Sequence, residues 1–196
     1  MRVVSRVQPR PLTGRRAFAA SMIGAAFTAA CAHISFYLPG NPVPVTMQVF
    51  AIVLCGLALG SRWGALAQME YLAAGLLGAP VFAGFRCGPA ALLGPTGGYL
   101  VGFVATAFVV GYVFERASSR TFAAACLAGA MGVCALYAFG VAWLSVWLGP
   151  GFAGFTPWLL GAAPFVAVDA VKVAVAAALC ARRTVGCKDN QSVQVQ

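Results

Sequence analysis

Acidic side chains are almost missing from this chain: Glu70, Glu115, Asp169 and Asp189 are the only four among 196 residues. Histidine is rarer still, with His33 alone. So small a supply of carboxylate and imidazole leaves little for acid–base or metal chemistry. There is no Ser/His/Asp grouping, no HExxH and no Gly-rich loop ending in Lys-Ser or Lys-Thr. The chain therefore has no P-loop of its own for ATP, and no catalytic constellation. Its seven cysteines form no CxxC pair. Most stand inside apolar runs, where Cys behaves as a small hydrophobe, so no disulfide or metal framework is expected. Charged residues make up only 9% of the chain and hydrophobic ones 61%. That balance excludes an ordinary soluble domain and implies an all-α integral membrane protein built as one unit. The net charge of +9 does not imply nucleic acid, because the bases form no patch interleaved with aromatics. The N-terminus does not read as a cleaved signal, since its arginines precede an apolar run longer than a signal core.

What charge there is falls in places that carry information. Eleven of the thirteen bases flank apolar runs: Arg2, Arg6, Arg10, Arg15, Arg16, Arg62, Arg116, Arg120, Arg182, Arg183 and Lys188. A spanning helix needs about 20 apolar residues, within roughly 17–25. Runs at 17–37, 46–60, 63–78, 96–114, 121–148 and 157–181 give six expected spans, the second and third short. With the N-terminus inside, every flanking base falls on the inner side, and the outer segments 38–45, 79–95 and 149–156 hold only Arg86. The positive-inside rule then puts both termini in the cytoplasm of a multi-pass protein of the cell (inner or plasma) membrane. Trp143, Trp147 and Trp158 fall at the outer interface of that scheme. The expected organisation is a basic tail over 1–16, a membrane domain over 17–181 and a polar tail over 182–196.

Prolines 39, 42 and 44 break the chain before the second span, and residues 80–95 hold too much Gly and Pro for a regular helix. Irregular backbone at membrane depth is tolerated only inside protein or along a wet cavity. Two readings stand for 80–95: an exposed outer loop, or a lid over an outward-facing pocket. Its apolar content (Val81, Phe82, Phe85, Leu92, Leu93) favours the lid.

Asp169 and Lys172 lie one turn apart inside the last apolar run. A charge at the bilayer centre costs about 2.5–3.5 kcal/mol on insertion scales, so the pair needs a reason. A structural ion pair is one reading. A polar ligand site is the other, and it is preferred because apolar residues often replace a buried pair without loss. Glu70 faces the cavity, or it packs against the Arg62 end of its own helix. Arg86 is a natural partner for a substrate carboxylate, or a solvated loop residue. Thr46 and Gln48 offer neutral donors and acceptors suited to an amide-like ligand, and Thr46 can also serve as a helix cap. The first helix carries small residues at four-residue spacing, Ala20 with Gly24 and Ala25 with Ala29, beside Ala26 and Ala30. Such ridges allow close helix approach in lipid and suggest a docking face for a membrane partner.

Four blocks occur in a telling order: PGNPVPVTMQVF (39–50), YLAAGLLGAPVFAG (71–84), GPTGGYLVGF (94–103) and PFVAVDAVK (164–172). In that order and spacing they resemble the BioY family, the biotin-specific S-components of energy-coupling-factor (ECF) vitamin transporters. The resemblance runs from residue 17 to about 181. One block departs: the family often has Pro-Gly before the Asp, where Ala167 and Val168 stand here. The resemblance implies an S-component-like six-helix bundle that captures biotin from outside. It implies a transmembrane coupling subunit and ATPase subunits as partners, which would use the ATP, and no cofactor in this chain. Asp169 would accept from a ureido N–H of biotin and Lys172 would donate to the ureido carbonyl. Phe50, Tyr71, Phe82 and Tyr99 are candidates for an aromatic wall. Arg86 and the glycines of 94–98 are candidates for the valerate carboxylate.

Two other classes compete. A solitary proton-coupled carrier, acting alone or as a homo-oligomer, would use Glu70 and Asp169 as relays, but six short helices without a repeat suit alternating access poorly. An intramembrane enzyme with Glu70 and Asp169 as a dyad is opposed by Lys172, which keeps Asp169 ionised.

Overall fold

The computed structural model describes residues 14–152 and 156–192. Most of the expected basic tail, with Arg2, Arg6 and Arg10, lies outside the described residues. Helix α1 spans Arg15–His33. A two-residue ribbon, β1 Ser35–Phe36 paired antiparallel with β2 Val45–Thr46, then closes the Pro-rich hairpin. The first helix thus ends at His33, short of the expected residue 37. Asn41 shapes the hairpin tip. Its Oδ1 accepts from the Val43 amide at 2.8 Å, and its Nδ2 donates to the Leu160 carbonyl at 2.8 Å.

Helix α2 runs Gln48–Leu76 and is broken at Gly60, whose φ of 83° and ψ of −179° are not helical. The break makes two antiparallel legs of the expected second and third spans. Two features fix it. A Cβ on Gly60 would collide with the Glu115 carboxylate, and one on Gly111 with the Ser61 backbone, so glycine is required on both sides of this crossing. The orphan amide of Ser61 then finds Glu115 Oε1 at 2.8 Å, while Ser61 Oγ donates to Oε2 at 2.8 Å. Glu115 therefore caps the second leg from a neighbouring helix.

Residues beyond Gly78 are irregular, with a 3-10 turn at Ala83–Phe85 and a single turn of helix, α3, at Ala90–Leu93. Helix α4 follows at Gly97–Arg116 and α5 at Phe122–Leu148, the latter capped by Thr121, which accepts from the Ala124 amide. The expected sixth span over 157–181 is not one helix. A short α6, Thr156–Gly161, is separated from α7, Val166–Ser192. Pro164 explains the division, because it has no amide to donate and pushes Ala163 away from helical geometry. Helix α7 also continues past residue 181 to Ser192.

Helices α2 and α4 are closely packed, with α1 on α2, α5 on α4, and α7 against α2 and α5. Among the described residues, α2, α4 and α5 are long and apolar enough to cross a membrane. Arg62, Arg116 and Arg120 gather at one end of the bundle, whereas Arg86 and Lys172 stand at the other. Arg62 follows the Gly60 break, which Glu115 ties to the end of α4, and Arg116 lies over the Tyr112 ring at 3.5 Å. The hairpin, the 78–95 segment and the starts of α4 and α7 make the other end.

Candidate functional site

At that other end the irregular segments and helix starts surround a half-open cavity of about 640 Å³, counting the space at its mouth. Its walls are mainly apolar. Val43 and Val49 come from the hairpin and α2, Phe82 from the 78–95 segment, Leu100 and Phe103 from α4, and Phe165 from the turn before α7. Sequence position makes this wall. Successive turns of α4 bring Thr96, Tyr99, Leu100 and Phe103 to one face, and Pro164 bends the chain so that α7 starts at the cavity rather than beside it.

Polar groups are few and convergent. Asp169 and Lys172, on the first two turns of α7, both line the cavity. Their side chains are only 4% and 6% exposed, and Lys172 Nζ lies 2.6 Å from Asp169 Oδ1. The second oxygen, Oδ2, accepts from the Tyr137 hydroxyl of α5 at 2.8 Å. The carboxylate also sits in the first turn of α7, where the helix dipole favours negative charge. With a lysine, a phenol and a helix start around it, Asp169 has each oxygen oriented. Lys172 retains two further protons for an acceptor in the cavity.

Thr46, Gln48 and Arg86 also line the cavity. The Gln48 amide N–H donates to Thr46 Oγ1 at 3.2 Å, and Gln48 Nε2 donates to the Tyr71 hydroxyl at 2.8 Å. Tyr71 in turn donates to the Val81 carbonyl at 3.2 Å. Arg86 is steadied by two bonds, Nη2 to the Tyr37 hydroxyl at 2.9 Å and Nε to the Ala83 carbonyl at 3.2 Å. The 78–95 segment supplies Phe82, Ala83, Arg86 and Ala91 to the wall, so it covers the cavity rather than standing free. Phe85 in this segment has a left-handed φ of 59° and stacks on His33 at 4.2 Å.

Several expected site residues stand elsewhere. Tyr71 is fully buried but does not line the cavity; it stands behind Gln48 and packs on Phe82 and Phe103. Phe50 faces α1, edge-on to Phe27 at 6.0 Å. Tyr99 does line the cavity, but its hydroxyl is used by the Gly161 carbonyl at 2.6 Å, so its ring is what it offers. Glu70 is not in the cavity and not at the Arg62 end. Its Oε1 accepts from Ser21 of α1 at 2.9 Å, because both residues lie on the buried seam between α1 and the second leg of α2. Gly97 and Gly98 serve packing: a Cβ on either would collide with the Leu92 carbonyl or with Trp143, whose Nε1 bonds the Gly94 carbonyl at 2.9 Å. On α1, Gly24 and Ala25 are buried and Ala20 and Ala29 half-buried, whereas Ala26 and Ala30 are exposed. Gly24 abuts Cys55 and Ala67 of α2. Tyr137 went unnoticed in the sequence. The available signal was a lone phenol in the middle of an apolar run, which needs a partner when buried.

The comparisons with known proteins now bear on this geometry. The model of the BioY family matches residues 6–186. The chain belongs to the BioY family. Similar members include the biotin transporter BioY of Thermotoga maritima, 40% identical over 145 residues that cover 74% of this chain and 83% of the relative. The probable biotin transporter BioY of Pyrococcus horikoshii is 40% identical over 158 residues, covering 80% of this chain and 89% of that one. The fold matches the crystal structure of the S-component for biotin from an ECF-type ABC transporter, with a TM-score of 0.77 and 23% identity, over 88% of this chain and 95% of the other. BioY proteins are membrane transport proteins, so this chain is a multi-pass transporter component rather than an enzyme. Its helical bundle has the architecture of an ECF S-component.

Proposed function

We infer that this BioY protein captures biotin with high affinity and delivers it across the cell membrane as the substrate-binding subunit of an ECF-type transporter. The observation that carries the reading is the buried Asp169–Lys172 pair at the wall of a mainly apolar cavity. One edge of a cyclic urea presents a carbonyl acceptor beside an N–H donor. Lys172 and Asp169 present the complementary donor and acceptor side by side. Phe82, Phe103, Phe165 and the Tyr99 ring suit the apolar bicyclic thioether. Arg86, at the covering segment, suits the valerate carboxylate, and Thr46 adds a hydroxyl to the cavity wall.

The proposed topology has six spans: α1, the two legs of α2, α4, α5 and α7. Both termini and Arg62, Arg116 and Arg120 lie on the cytoplasmic side, and the cavity opens outward. Support comes from the gathering of Arg62, Arg116 and Arg120 at the end away from the cavity. The proposed partners are a transmembrane coupling subunit and two ATPases. The exposed side of α1, with Phe18, Met22, Ile23, Ala26 and Ala30, is the proposed docking face. Of the small residues on that helix, Ala26 and Ala30 are the outward ones, while Gly24 and Ala25 are taken up by packing within the protein.

The test is uptake of labelled biotin by cells that lack their own biotin carrier. Production of this protein with a compatible coupling subunit and ATPases should give ATP-dependent uptake that a proton uncoupler does not directly abolish. Full uptake by the protein alone, lost on adding the uncoupler, would instead favour the proton-coupled carrier.

A further inference from the structure

Gln48 is 3% exposed, yet it lines the cavity. Which end of its amide the cavity meets follows from the groups behind it. The Val81 carbonyl can only accept, so the one proton of the Tyr71 hydroxyl is committed to it at 3.2 Å. The Tyr71 oxygen is then left to accept. Its neighbour at 2.8 Å must be the amide nitrogen of Gln48, not its oxygen. The carbonyl oxygen Oε1 is thereby the end left without a partner among the described residues, and the cavity receives an acceptor. Asp169 supplies a second acceptor and Lys172 the donor.

We propose that Tyr71 is a positioning residue for ligand specificity: through its hydroxyl it fixes the Gln48 amide so that Gln48, Asp169 and Lys172 together present two acceptors and one donor, the complement of a cyclic urea with two N–H groups and one carbonyl. This rests on the proposed biotin function and adds a recognition group for the second N–H. Without the Tyr71 hydroxyl the amide is free to turn and offer N–H instead. The site then loses its preference for a donor at that position.

Two cyclic carbamate analogues of biotin test this, each with one ureido N–H replaced by a ring oxygen. Wild-type protein should bind biotin and disfavour both analogues, because each turns a donor into an atom facing an acceptor. In Tyr71→Phe the penalty against one analogue should shrink by roughly tenfold or more, since a turned amide can donate to the ring oxygen. The penalty against the other, which faces Asp169, should stay unchanged. Gln48→Met, with Tyr71 in place, should lose the same discrimination. General loosening of the fold would weaken all three ligands together and leave both ratios unchanged. Unaltered ratios in Tyr71→Phe, or discrimination retained in Gln48→Met, overturn the proposal while biotin binding stands. Failure of wild-type protein to bind biotin overturns the proposed function and this inference with it.

Discussion

Replacing the buried pair one residue at a time and then together separates a binding role from a structural one. Lys172→Met leaves Asp169 with the Tyr137 hydroxyl as its only described side-chain partner, at 2.8 Å and on Oδ2 alone. A buried charge stripped of its partner costs about 3–5 kcal/mol, so the single variant should fold poorly or melt well below wild type. Asp169→Leu should be damaged similarly, because it strands the lysine. The double variant Asp169→Leu/Lys172→Met removes both charges, and such replacements are often neutral for folding. It should therefore recover most of the lost stability. Binding should not recover. A charge-assisted hydrogen bond contributes about 1.5–3 kcal/mol, so losing both contacts to the ureido edge removes roughly 3–6 kcal/mol. That corresponds to a loss of affinity of about a hundredfold to ten-thousandfold. Gel filtration and thermal melts in detergent report the folding, and calorimetric titration reports biotin affinity. A double variant that is well folded and binds biotin as wild type does would refute the reasoning, and the pair would then be purely structural.

Further outcomes follow from other parts of the bundle. Tyr137→Phe should weaken biotin binding roughly tenfold while the protein stays folded, since it removes one hydrogen bond to a charged oxygen, and titration would show it. Gly60→Ala forces an L-residue into a left-handed φ against the Glu115 carboxylate, and should lower stability by about 1–3 kcal/mol in a thermal melt, with Glu115→Ala destabilising the same crossing. In a background without other cysteines, Cys87, exposed on the covering segment, should react with an impermeant reagent from outside intact cells, and a cysteine at position 118 only after the membrane is opened; the reverse pattern would invert the proposed topology. Ala26→Trp or Ala30→Trp should abolish energised uptake and leave biotin affinity unchanged; normal transport would remove α1 as the docking face.

Much of this architecture was legible because the bilayer imposes simple rules on sequence. Apolar run length located the helices except in the sixth run, where α6 and α7 are separate, and the placement of Arg62, Arg116 and Arg120 paired their ends. The Asp169–Lys172 pair stood out because charge is so rare in apolar runs. What stayed hidden depended on three-dimensional detail. Pro164 was passed over inside the sixth run, and only the turn it creates shows that Asp169 lies at a helix start. Helical spacing identified small residues on α1 without showing that Gly24 and Ala25 face inward against α2. Tyr71 and Glu70 are adjacent, and nothing local told that one would stand behind Gln48 and the other would meet Ser21 across a helix seam. Tyr137 was missed because its role exists only through contact with Asp169 on another helix.

The most direct test of the central claim is a calorimetric titration of the purified protein with biotin, thiamin and riboflavin. Biotin should bind at about nanomolar Kd, near −12 kcal/mol, and the other two should neither bind nor compete, because they leave the Asp169–Lys172 edge unpaired. A folded preparation that ignores biotin, or that binds all three alike, would contradict the account.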